Sequence, residues 1–231
     1  MKTRIMAATP TYTGQICVPF LQSFVASWGH LMVNGVEMEL TVANHFTIIQ
    51  FARNFLVHKF LHDQSCTHLL WIDSDLGWSP DAILRMVNRK KDVIAGVYPV
   101  KQRNGWFPYM QAGPPTEEGI QLAERVPTGF MLCSREVVET VAQSVLWHDL
   151  EHQGQKYSVP NVFDFVHEGK DLWGEDFVFC KRARGLGFEV WVETDIHFQH
   201  IGMTGWEGNL KDKLTNQAEG ALVMNEPRSA A

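Results

Sequence analysis

The four cysteines of this 231-residue chain, Cys17, Cys66, Cys133 and Cys180, lie far apart and never form a CxxC pair. That spacing suggests neither a zinc knuckle nor a disulfide framework, and the cysteines read as buried free thiols. Long apolar runs are missing too. No stretch approaches the roughly 20 residues that span a bilayer, and Met1-Lys2-Thr3-Arg4 leads into a strand-like segment instead of a signal peptide, so a cytoplasmic location is expected. There is no internal repeat or low-complexity tract. Positive charge is in short supply: 20 Lys and Arg stand against 26 Asp and Glu, a net charge of -6 with a pI near 5.9. This argues against a protein whose whole surface wraps nucleic acid. It leaves room for local basic grooves at Arg85, Arg89, Lys90, Lys91, Lys101 and Arg103, and at Lys181, Arg182 and Arg184, although solvated helix faces are the plainer reading. Finally, the loop after the first strand, Thr9-Pro10-Thr11-Tyr12-Thr13-Gly14, carries no Lys or Arg, unlike the basic glycine-rich phosphate loop of a nucleotidyltransferase.

What remains is an ordinary globular composition, 45% hydrophobic and 20% charged, of a length that suits one domain. Strand-like and helix-like segments alternate through the first two thirds, the pattern of an α/β protein with a mostly parallel central sheet flanked by helices. Strands are expected at 4–9, 37–43, 68–72, 92–98, 128–133 and 189–192. Helices are expected at 17–33, 46–62, 135–145 and 175–186. Ser79-Pro80-Asp81 offers an N-cap, a proline at the first helical position and an acid in the first turn. Residues 99–125 read as an irregular excursion or hairpin. The body is expected to occupy 1–202, and the weakly patterned residues 203–231 to form a mobile tail or lid.

Three features carry chemistry. Asp73-Ser74-Asp75 follows the apolar run His68-Leu69-Leu70-Trp71-Ile72, and the carboxyl ends of strands are where open α/β sheets bind ligands. Two carboxylates on such a turn can meet a diphosphate through a hard divalent cation. The plainer alternative is a turn or cap. Trp173-Gly174-Glu175-Asp176 opens a helix about one hundred residues later, where acids also complement the helix dipole. Chemically, one carboxylate can take a proton from an acceptor hydroxyl while the other holds the acceptor, and Trp173 offers a flat face to a ring. His197-Phe198-Gln199-His200 reads as a strand on which the two histidines face opposite ways, so one can complete a metal site.

In this order and spacing the three features resemble the GT-A glycosyltransferases, especially compact family 2-like members, over most of the chain from Ala7 to Gly202. The resemblance implies a metal-dependent transfer from a UDP-sugar, UDP-glucose favoured, to an acceptor hydroxyl. It implies Thr9, Pro10, Thr11 and Tyr12 near the uridine, and Asp73 with Ser74 toward the ribose or donor sugar. Asp75 and His200, with Asp73, would hold Mn²⁺ or Mg²⁺. Asp176 becomes the base, with Glu175 as neighbour or substitute, and Trp173 and Gly174 meet the acceptor. Arg53, in Ala52-Arg53-Asn54, would lie near the uracil or phosphate, and Gly129 would let donor or acceptor approach the backbone. Compact stand-alone enzymes of this kind resemble those of bacteriophages, some of which glucosylate hydroxymethylated pyrimidines in DNA. A glycan or small molecule is the alternative acceptor, and a nucleotide-sugar-binding protein without catalysis the alternative class.

Overall fold

A computed structural model describes residues 2–102, 106–115, 119–202 and 205–215. In chain order the elements are β1 (Arg4–Thr11), α1 (Val18–Val33), β2 (Glu37–Asn44), α2 (Ile49–His62), β3 (His68–Ile72), β4 (Leu76–Trp78), α3 (Ala82–Arg89), β5 (Val93–Gly96), β6 (Met110–Pro115), β7 (Ile120–Arg125), β8 (Phe130–Ser134) and α4 (Arg135–Gln143). They continue with β9 (Trp147–His152), β10 (Gln155–Pro160), β11 (Val166–Glu168), β12 (Asp171–Trp173), α5 (Glu175–Gly185), β13 (Val190–Glu193), β14 (His197–Ile201) and β15 (Gly205–Asn209).

The central sheet has eight strands in the order β2-β1-β3-β8-β5-β13-β7-β6. β1, β2, β3, β5, β6 and β13 run one way; β7 and β8 run against them. β3 shows why its sequence is a continuous apolar run. Leu69 and Trp71 join the core beneath α2, with Phe60 and Phe163, while Leu70 and Ile72 join the opposite core beneath α1, with Phe20 and Phe198. A strand covered on both faces needs no polar alternation. The result is a single α/β domain of GT-A, Rossmann-like type, whose parallel strands deliver their carboxyl ends to one edge. All four cysteines are free thiols, as their spacing predicts.

Several local expectations are corrected. α3 starts at Ala82, not at Pro80. Ser79 and Pro80 form a turn closed by the Ala82 amide on the Ser79 carbonyl at 3.0 Å, and the Ser79 hydroxyl caps nothing. The Pro80 carbonyl is instead taken by the Ser27 hydroxyl at 3.1 Å, which ties the turn to α1. The polar stretch after α4 contains two hairpins, β9 with β10 and β11 with β12. Their half-exposed strands carry too few apolar residues to show a period. Past residue 202, Gly205–Asn209 pairs with β14, residues 210–215 continue as a helical turn, and Leu210 is buried in the core. Residues 203–204 and 216–231 of the expected tail, and Arg103 of the basic stretch, lie outside the described residues. Among the described residues no helix is long and apolar enough to cross a membrane.

Candidate active site

The acidic turn is fixed before its side chains matter. At the end of β3 the Asp73 amide donates to the Gly129 carbonyl at 2.9 Å, and the Leu76 amide closes the turn on the Asp73 carbonyl at 3.3 Å. The Ser74 carbonyl accepts from the Cys17 amide at 2.9 Å, docking the start of α1 on the turn. From this frame the two carboxylates diverge. Asp73 accepts from Arg53 Nη2 on Oδ1 and from the Tyr98 hydroxyl on Oδ2, each at 3.3 Å. Asp75 turns to Lys101, with Nζ at 2.5 Å, and to His200, with Nε2 at 3.6 Å from Oδ2. Burial works to raise the Asp75 pKa, but the contacts from His200 and Lys101 outweigh it and hold the carboxyl below its usual range.

A second, three-stranded sheet brings His200 there. β14 lies antiparallel to β4, with His200 opposite Leu76, and the Ile201 amide donates to the Asp75 carbonyl at 2.8 Å. Phe198 and His200 share a face and turn inward, while His197 is exposed, as strand alternation predicts. The Nδ1 of His200 lies 2.8 Å from the Pro99 carbonyl. A carbonyl only accepts, so Nδ1 carries the proton and Nε2 is the ring nitrogen left to face Asp75. A backbone carbonyl on the far ring nitrogen is the usual arrangement of a metal-ligating histidine. Asp75 and His200 therefore fit a divalent ion, with the Lys101 ammonium as the present neutralising charge.

The third group forms around Arg53 on α2. Its guanidinium is only 5% exposed and bridges the two acidic motifs, with Nη2 on Asp73 and Nη1 on Glu175 Oε1 at 2.8 Å. Burial opposes the charge, and Asp73, Glu175 and Asp176 more than restore it. The neighbouring Asn54 is fully buried and pins the 161–163 loop, accepting from the Phe163 amide at 2.8 Å and donating to its carbonyl at 3.0 Å. The Arg-Asn pair thus faces the protein interior, not solvent. Gly174 is the N-cap of α5, and Asp176 accepts from the Phe177 amide at 2.8 Å. Burial, and then the Glu175 carboxylate, push the Asp176 pKa up to about 6. Trp173 next to it has Arg125 and Lys181 over its ring at 5.0 and 5.1 Å.

Gly129 is required for space. A Cβ there would lie 2.2 Å from Asp73 Oδ2 and 2.3 Å from the Tyr98 oxygen. The room it leaves is occupied by those two side chains, which is a different use from the substrate approach expected of it. Gly129→Ala is expected to displace the Asp73 carboxylate by about an ångström and lower turnover about 100-fold, with the fold retained by circular dichroism. Wild-type turnover in that variant would show that the position of Asp73 is unimportant.

At the end of β1, Pro10, Thr11, Tyr12, Phe46, Ile49 and Ala52 line a shallow cavity of about 150 Å³. Nine buried side-chain polar atoms have no partner among the described residues, and five of them belong to this side of the sheet: the hydroxyls of Thr9, Thr11 and Thr128, Arg53 Nε and Trp173 Nε1. Orphaned polar atoms are rare in folded proteins and concentrate where a polar ligand belongs. A larger cavity, about 640 Å³, lies between Lys2, His68, Asp92 and Ser134. It sits at the amino ends of β1, β3 and β5, the wrong edge for ligands of this fold. On that edge, too, Glu39, Asp63 and Cys66 bring one ligand atom each within 4.8 Å of one another, a set that could hold a metal ion. Burial and Asp63 push the Cys66 thiol up to about 12, however, and Arg4 already neutralises Glu39 at 2.7 Å. The set reads as a hydrogen-bonded cluster.

Sequence reasoning missed Tyr98, Lys101 and Phe46. Tyr98 and Lys101 stand just past β5 with no motif around them, and only the rule that strand ends carry ligands pointed there. Solved structures resemble the chain to different degrees, and A197 from STIV shares the fold. A197 from STIV shares 15% identity over 87% of this chain and 86% of its own, with a TM-score of 0.55. A glycosyltransferase involved in glycosylation of the major capsid of PBCV-1 aligns at 11% identity over 59% of this chain and 62% of its own, with a TM-score of 0.36. Residues 1–349 of S. aureus TarS align at 12% identity over 82% and 58%, with a TM-score of 0.43. No family model matches the sequence, and neither does any curated protein.

Proposed function

We propose that this chain is a metal-dependent glycosyltransferase that moves a sugar from a UDP-sugar to the hydroxyl of a glycan or small-molecule acceptor. The observation that carries this reading is the pairing of Asp75 with a His200 whose Nδ1 is committed to Pro99, at the sheet edge that also holds the orphaned hydroxyls of Thr9, Thr11 and Thr128. Pro10, Thr11 and Tyr12, with Phe46, accept the uracil against their apolar faces, and Thr9 supports that loop. Asp73 and Ser74 face the ribose and donor sugar. Asp73 is held there by Tyr98 and Arg53. Asp75 and His200 would hold Mn²⁺ or Mg²⁺, which when bound would supply positive charge against the departing diphosphate. Asp176 takes the acceptor proton as the acceptor oxygen bonds to the anomeric carbon and the bond from that carbon to the diphosphate breaks. Glu175, fixed by Arg53, orients the acceptor hydroxyl, and Trp173 and Gly174 line its approach. Arg53 serves both motifs from behind rather than the uracil itself.

The charge distribution favours a glycan or small molecule over DNA. The cations that would track phosphates are engaged internally: Arg89 with Glu193 at 2.7 Å, Arg85 with Asp81 and the Asp195 carbonyl, Lys101 with Asp75. The net charge of -6 works in the same direction. Incubation with radiolabelled UDP-glucose and Mn²⁺ is expected to release glucose slowly and to label members of a glycan and small-molecule panel. Labelling of hydroxymethylated DNA at low salt would overturn the acceptor class. Tight UDP-sugar binding with neither hydrolysis nor transfer would identify a binding protein instead.

A further inference from the structure

The opposite flank of the molecule carries a surface that the chemistry does not use. β2 is the end strand of the central sheet, and among the described residues nothing pairs with its outer side. It is eight residues long, without proline, and registers continuously on β1 without a bulge. Edge strands of monomers are ordinarily blunted by charge, proline or a bulge on the exposed side. On β2 the charges, Glu37 and Glu39, lie on one face, paired with Lys2 and Arg4, while Leu40 and Val42 stand exposed on the other. They align with Ala7 and Thr9 of β1, and so point to the face where Ile5, Ala7 and Met38 pack beneath α1.

The helix on that face continues the patch. Leu21, Val25, Trp28 and Met32, spaced four, three and four residues apart, form one stripe and are 45–58% exposed. Trp28 and Met32 line a groove of about 270 Å³ with Met38, Glu37 and Glu39 of β2 and Arg4 of β1, so the stripe lies on the flank of α1 beside the open strand. α1 contains no Asp, Glu, Lys or Arg at all. A two-turn-or-longer surface helix without a charge is poorly suited to water, and an apolar stripe normally marks a buried face.

We infer that this face is the interface of a two-fold homodimer, in which β2 pairs antiparallel with β2 of a second copy and the α1 stripes pack across the join. An open strand edge offers its amides and carbonyls to another polypeptide strand, a partner that a lipid surface cannot supply. A two-fold axis through β2 makes the patch its own complement, since strand meets strand and uncharged helix meets uncharged helix. α1 adds no charge to the repulsion between two copies, and the acids of β2, Glu37 and Glu39, are each paired within the chain, with Lys2 and Arg4 at 2.7 Å. The six side chains expose on the order of 600 Å² before the strand edge is added, against about 800 Å² per partner in a standard interface. The catalytic edge of each copy stays open, because the paired strand lies at the end of the sheet.

Sedimentation velocity of the full chain tests this directly. At about 50 µM, well above an expected Kd of about 1 µM, the protein should sediment at twice its monomer mass, and outward amides of β2 should gain exchange protection as concentration rises. Val25→Glu and, separately, Val42→Lys should each raise the dimer Kd at least tenfold by burying a charge against its own mate, with unchanged circular dichroism. Leu146→Glu, at an exposed position beyond α4, should leave the dimer intact. A monomer at all concentrations overturns the inference, as does a dimer unaffected by both interface variants. Concentration-independent protection of β2 in a monomer would overturn it too, by showing that residues of the same chain cover the edge.

Discussion

Asp176→Asn is expected to lower the rate of sugar transfer about 1,000-fold while leaving UDP-sugar affinity within about twofold, the signature of a lost general base. The amide matches the carboxylate in shape and can still accept from the Phe177 amide, so the N-terminus of α5 is preserved. What it cannot do is take a proton. The wild-type environment prepares Asp176 for that step: burial and the adjacent Glu175 raise its pKa to about 6, and Arg53 limits the rise. Glu175 is held instead by the Arg53 guanidinium at 2.8 Å. Transfer should therefore increase with pH through about 6 and level off above it, and the Asn variant should lose that limb.

The same shift has a consequence for stability, with a definite sign. A carboxyl whose folded pKa lies above its unfolded value opposes folding once it ionises. The cost is absent below about 3.8, grows between 3.8 and about 6, and is complete above 6. Asp176→Asn removes it, so the variant should melt at a higher temperature than wild type at pH 7 to 8, and the gain should vanish near pH 3. A variant that loses activity and is also less stable at neutral pH would mean that Asp176 is a structural cap.

How much of this was legible in the sequence follows from how each part is held. β3 and the helices α1, α2, α4 and α5 were readable because burial imposes a period or an apolar run that local sequence must satisfy. The hairpins β9–β10 and β11–β12 were not, since mostly exposed strands have little to alternate. The acidic turn, Arg53, the Glu-Asp pair and His200 were each nameable from sequence. Their division of labour was not. Asp73 and Asp75 are two residues apart, yet one belongs to Arg53 and Tyr98 and the other to Lys101 and His200. Arg53, placed by resemblance near the nucleotide, is buried between Asp73 and Glu175, 20 and 122 residues away in sequence. Long-range pairing of that kind leaves no local trace.

Asp75→Ala tests the other half of the site and is expected to reduce transfer by about 100- to 1,000-fold, with the remaining activity insensitive to added Mn²⁺. The side chain is half-exposed and anchors no backbone amide; the turn is held by main-chain bonds from Gly129, Cys17 and Ile201, so the variant should fold as wild type. His200→Ala should give a similar but smaller loss, because on the proposed reading Nε2 would supply one ligand while the carboxylate would supply both ligand and charge. Lys101 makes the test sharper. Its ammonium sits on Asp75 Oδ2 where a divalent ion would be held, so ion and lysine compete for the same carboxylate. Lys101→Met should therefore lower the Mn²⁺ concentration needed for half-maximal transfer several-fold, whereas a lysine that only steadied the loop would leave that concentration unchanged. Chelation adds the last discrimination. If wild type keeps full activity in EDTA and Lys101→Met does not, the ammonium itself is the charge that meets the leaving diphosphate, and Asp75 and His200 position a lysine instead of a metal.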